Sequence, residues 1–147
     1  MKINGKPVIN GQRAFNLRII PADIKKGQSK SPAGCAAAVA LVREHKDITA
    51  ARVHLGRIFI EGPSAWVRYK TPHTLRDEIV AYDRGGTFMP GHHEIIPLTK
   101  SEQRYIDDKE WRKQLVRKRE NENKRGERKT RAVRHIVSGV RPRGANR

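Results

Sequence analysis

Apolar residues alternate with polar ones at Phe15, Leu17 and Ile19, the period of a half-buried strand. Pro21 ends that run, because proline cannot continue a central ladder. Residues 21–27 then read as one turn closed by Gly27. Ser31-Pro32 follows as an N-cap and N1 pair, and residues 33–45 predict a helix rich in alanine. Its expected apolar face holds Cys35, Val39 and Val42, with Ala38 and Leu41 beside it. Residues 51–55 and 58–61 predict a hairpin around Gly56-Arg57, with glycine first as a type II′ turn requires. Residues 66–70 alternate again as the third strand of a meander. Thr71-Pro72 repeats the cap-plus-proline signal, so a second helix should run to about Asp83, burying Leu75, Ile79 and Tyr82 and stopping at Gly85-Gly86. Residues 93–96 suggest a last short strand.

The expected fold class is therefore α+β: a small antiparallel sheet with two helices on one face, in the order β-α-β-β-β-α-β. Residues 1–13, rich in Gly, Asn and Lys, read as a loose lead-in, and residues 14–98 as the domain. Beyond Leu98 the pattern changes. Tyr105, Ile106, Trp111 and Leu115 could form a short stripe on a helix starting near Ser101. From Arg117 to Lys129 nearly every residue is charged or Asn. A helix polar all round has no face to bury, and Gly126, Gly139, Pro142 and Gly144 interrupt it. Residues 99–147 are thus expected to be a basic arm, partly helical or disordered.

Charge sharpens that division. The chain of 147 residues carries 32 Lys and Arg against 15 Asp and Glu, a formal net charge of +17. Residues 1–98 hold 15 basic and 8 acidic side chains, and residues 99–147 hold 17 and 7, so more than half of the excess lies in the last third. Such an excess strains the compact state unless a counter-charge arrives. The candidate phosphate-binding cations of the arm are Arg112, Lys113, Arg117, Lys118, Arg119, Lys124, Arg125, Arg128, Lys129, Arg131 and Arg134, with Arg141, Arg143 and Arg147 beyond. Arginine presents a fork of donors matched to phosphate oxygens. The expected partner is a nucleic acid, DNA or RNA, held by its phosphates. A solvated, solubilising tail is the plainer reading, but solubility needs no sign preference and this segment is almost uniformly cationic. An acidic membrane surface fits less well, because the arm lacks an apolar face.

Base readout has no signature here. One cysteine excludes C2H2 and C4 zinc spacings, and neither a helix-turn-helix nor an aromatic RNP-type motif is present. Trp66 and Tyr69, beside Arg68 and Lys70, could stack single-stranded bases, although period-2 alternation puts them on opposite faces. Cys35 near a helix start could be a reactive thiolate. It would need a base, and His45, His54, His73, His92 and His93 stand at no diagnostic spacing. Adjacent His92 and His93 on a strand cannot easily share one metal ion. There is no glycine-rich phosphate loop. The expectation is a non-enzymatic protein with no catalytic residue, metal or cofactor. The single cysteine, the lack of a secretory h-region and the lack of a roughly 20-residue apolar run point to the cytoplasm and away from a membrane.

At Ile20-Pro21-Ala22-Asp23-Ile24, Gly27, Cys35 and Ala38-x-Ala40-Leu41, the sequence resembles small bacteriophage proteins. In those, a strand, an aspartate–isoleucine–x–x–glycine turn and a Cys-led Ala-rich helix precede a β-meander. Val53, the strand at Trp66 to Lys70 and Ile79-x-x-Tyr82-Asp83 fit the same arrangement, so the resemblance covers residues 15–96. It departs at Ala36, where a proline often follows the cysteine. The resemblance implies a viral origin and expression in a bacterial host, and no activity. Within that setting the alternative function is a phage effector that binds a host protein through the α+β domain, with the arm as a secondary tether.

Overall fold

The computed structural model describes residues 1–126. The chain divides into two compact units, the first Met1–Leu98 and the second beginning at Thr99.

The first unit is α+β with a curled, mostly antiparallel sheet. Its strands are β1 (Lys2–Ile3), β2 (Lys6–Asn10), β3 (Phe15–Ile19), β4 (Ala50–Val53), β5 (Arg57–Glu61), β6 (Trp66–Lys70) and β7 (Gly91–Ile95). Its helices are α1 (Pro21–Lys26), α2 (Ala36–Glu44) and α3 (His73–Asp83). From β3 onward the order is the expected one, with α1 added where a single turn was anticipated. Five strands form one sheet in the order β1-β2-β6-β5-β4, and β3 pairs with β7 in a second. A lone bridge between Lys70 and Ile96 joins the two where β2 leaves β6. Leu17, Ile19, Ile58, Ile60, Val53 and Ile95 meet Ala37, Ala40, Leu41, Leu75 and Ile79 in one core.

Residues 1–13 are not a loose lead-in. Asn4 (φ 50°) and Gly5 (φ 81°) supply the two left-handed positions of a primed turn, which folds β1 antiparallel onto β2. β2 then runs parallel to β6, with Val8 opposite Trp66 and Asn10 opposite Arg68. The β4–β5 turn also differs. His54 N–H donates to the Arg57 carbonyl (2.9 Å), so Leu55-Gly56 are the central residues, and Gly56 does not adopt positive φ.

Helix α2 starts three residues later than expected, because residues 28–35 are held as a loop. Asp83 accepts from Lys30 N–H (2.8 Å), Ser31 Oγ accepts from Gly34 N–H (3.1 Å), and Lys30 sits at φ 59°. Gly27 lets this loop close on the helix, since a Cβ there would lie 2.7 Å from the Ala36 nitrogen. The shifted start buries Ala37, Ala38, Ala40 and Leu41 and leaves Val42 exposed, against expectation. α3 begins after Pro72, not Thr71, whose hydroxyl donates to the His54 carbonyl (2.6 Å).

α2 packs against both β3 and β4 and supplies what a neighbouring strand would. Glu44 accepts from Arg18 N–H (2.6 Å), and Arg43 Nη2 donates to the Arg18 carbonyl (2.8 Å), so the free edge of β3 is capped at one residue. The same Arg43 clamps the buried Asp23, Nε to Oδ1 and Nη2 to Oδ2, both at 2.9 Å. Asp23 also accepts from Ile20 N–H (3.0 Å), fixing the turn from β3 into α1.

Candidate functional site

The described part of the second unit, residues 99–126, is built from two capped helices. Thr99 opens α4 (Lys100–Asp107) with a capping box: its hydroxyl accepts from Glu102 N–H (3.2 Å) while Glu102 accepts from Thr99 N–H (2.8 Å). Asp108 interrupts the helix and caps the next, α5 (Lys109–Lys124), by accepting from Trp111 N–H (2.8 Å). The expected stripe on one helix is therefore split across a corner. Tyr105 and Trp111 meet edge to face at 6.5 Å, and the Arg104 guanidinium lies 4.8 Å from the Trp111 ring. Neither helix buries a residue.

The cations of α5 divide by use. Arg112 donates to the Tyr105 and Ile106 carbonyls (3.1 and 3.3 Å), closing the end of α4, so its first role is structural. Lys113 pairs with Glu110 at 3.2 Å on the open surface. Arg117, Lys118, Arg119 and Lys124 are exposed, and Arg125 follows at the C-cap before Gly126 (φ 80°) ends the helix. Arg128, Lys129, Arg131 and Arg134 lie outside the described residues.

No family model, curated protein or solved structure matches this chain.

Trp66 and Tyr69 do not form a stacking platform. Trp66 is 1% exposed, leaving no ring face for a base, and Arg52 lies 5.2 Å from its ring. Tyr69 is half-buried against the core, edge to face with Phe15 at 5.2 Å, and burial pushes its hydroxyl pKa up. Gly11 lies so close over that ring that a Cβ would collide with it. Arg68, between them, is buried and donates to the Asn10 side chain.

Cys35 lines a small cleft of about 160 Å³ with Lys30, Pro32, His54, Ile79 and Asp83. It occupies the N-cap position of α2, where backbone amides favour a thiolate, but desolvation is larger and pushes the thiol up. The helix-start argument for a reactive thiolate therefore loses to burial. On β7, His92 is exposed and His93 is buried, its Nδ1 2.9 Å from the Thr74 hydroxyl. Burial lowers the His93 pKa. Among the described residues no three His, Cys, Asp or Glu side chains are grouped to hold a metal ion, and no helix is long and apolar enough to cross a membrane.

Two residues of α5 escaped the sequence reading. Gln114 and Asn121 are exposed and share a face with Arg117 and Lys118, at spacings of three, four and seven residues. The spacing is visible in the sequence, but uncharged amides carry no signature there that sets them apart from a solvated helix face.

Proposed function

We propose that this chain is a non-enzymatic nucleic-acid-binding accessory protein that grips phosphates with α5 and the basic residues beyond it. One observation carries the reading: Arg117, Lys118, Arg119 and Lys124 stand exposed on a helix that buries nothing. Such a helix gains from an external polyanion what it lacks from a core. With the resemblance of residues 15–96 to bacteriophage proteins, the proposed setting is the cytoplasm of a bacterial host.

Fluorescence anisotropy on labelled duplex DNA, single-stranded DNA and RNA across a salt series tests this. If about six phosphates are neutralised, log affinity should fall with log salt at a slope of about −5 on duplex. Replacing Arg117, Lys118, Arg119 and Lys124 together by Gln should flatten the slope by about 4. An unchanged slope and affinity in that variant would sink the role of α5. A stoichiometric host protein captured after nuclease treatment would then favour the effector reading.

A further inference from the structure

Besides its cations, α5 carries the side-chain amides of Gln114 and Asn121, both exposed and neither hydrogen-bonded among the described residues. They lie two helical turns apart, about 10.5 Å along the axis, which matches about three base-pair steps. Arg117 and Lys118 stand between them on the same face, and Lys124 extends it. Glu120 projects to one side of this face, while Glu122 borders the same shallow cleft as Gln114, Arg117, Lys118, Asn121 and Arg125, where the cations outnumber it three to one. Glu110, one turn before Gln114, is paired with Lys113. The result is an amide–cation–amide row on the outside of a helix of 16 residues.

We infer that this face of α5 reads base edges in the major groove of duplex DNA, with Gln114 and Asn121 as specificity-determining residues and Arg117, Lys118 and Lys124 on the flanking phosphates. The inference rests on the phosphate-gripping reading above and adds a sequence preference to it. Charge complementarity selects a polyanion. Groove dimensions select the duplex type: the B-DNA major groove, about 12 Å wide, admits an α-helix, whereas that of A-form RNA is too narrow. Asparagine and glutamine amides match the paired donor and acceptor of adenine, N6 and N7, in that groove. Phosphate contacts alone would position the helix without reading sequence.

The test is selection of a random duplex library by the full chain, followed by anisotropy on the enriched duplex and a scrambled one. The enriched duplex should bind at least about tenfold more tightly. Gln114→Ala and Asn121→Ala should each cut that discrimination by about tenfold while leaving scrambled-duplex affinity and the salt slope unchanged. Alanine is the strongest helix former, and circular dichroism verifies that α5 is retained. Asn123→Ala, on the opposite face, should change neither quantity. Arg117→Gln and Lys118→Gln should weaken both duplexes equally. Enrichment of no sequence, with salt-dependent binding intact, overturns the inference and leaves the phosphate-gripping reading standing. Tighter binding to an RNA hairpin or a single strand than to duplex also overturns it. Absence of salt-dependent binding to any nucleic acid removes both.

Discussion

Arg43→Ala should be among the most damaging single changes in the first unit, and more damaging than neutralising its partner by Asp23→Asn. The two ends of this ion pair are unequally solvated: the Asp23 side chain is 2% exposed, the Arg43 side chain 38%. Removing Arg43 leaves a buried carboxylate whose remaining contact is the Ile20 amide, and it also frees the Arg18 carbonyl on the β3 edge. Uncompensated buried charges of this kind cost about 3–5 kcal/mol. Asp23→Asn keeps an acceptor for Ile20 and leaves a guanidinium that water can reach, so it should cost about 1–2 kcal/mol. With a urea slope of about 2 kcal/mol per M, Arg43→Ala should lower the midpoint by about 2 M and Asp23→Asn by less than about 1 M. Trp66 fluorescence in a Trp111→Phe background follows this unit alone, because Trp66 is buried in β6. If Asp23→Asn costs as much as Arg43→Ala, burial of the anion does not set the cost.

Two further outcomes follow from titratable groups. His93 has a folded-state pKa below the ordinary value of about 6.5 because of burial, so below that pH the unfolded chain binds the extra proton. Its contribution to stability is present above about pH 6.5 and is lost as pH falls through the folded pKa; urea midpoints at pH 7.5 and 5 should differ in wild type and differ less in His93→Gln. The Cys35 thiol, pushed up by burial, should react with a disulfide reagent at pH 8 only as fast as the structure opens. Native-state labelling at the rate seen in urea would contradict that.

How far the fold was legible depends on what each element leans on. β3 and α3 announce themselves through period, because Leu17, Ile19, Leu75 and Ile79 face one core. The β1–β2 hairpin was equally marked by Asn4-Gly5, but strands so short and polar gave no period to confirm it. Its parallel pairing with β6 joins residues 58 apart and has no local signature. The start of α2 was misplaced for a similar reason: Ser31-Pro32 looks like a cap, yet the bond that shapes its loop comes from Asp83. At the site, charge alone located the cations. The diversion of Arg112 was hidden because it depends on the break at Asp108, and the loss of Trp66 depends on burial that the pattern of one strand does not reveal.

The contacts of the second unit explain why its densest cations stand where they do. The Asp108 cap, the Arg112 bonds to α4 carbonyls and the Tyr105–Trp111 contact all sit at or before the first turn of α5. From Gln114 onward the helix relies on propensity and on spacings such as Glu120 to Lys124, worth only about 0.2–0.5 kcal/mol per pair. A helix of this length is marginal by itself in water, and repulsion among Arg117, Lys118 and Arg119 lowers its stability further. A polyanion removes that repulsion, so helix order and binding are linked. Helicity and affinity should therefore part when Arg117, Lys118 and Arg119 alone are replaced by Gln, which leaves the Glu120–Lys124 spacing intact: the free helix keeps or gains order as the repulsion goes, while the bound state loses its grip. A solubilising tail would show the first change without the second.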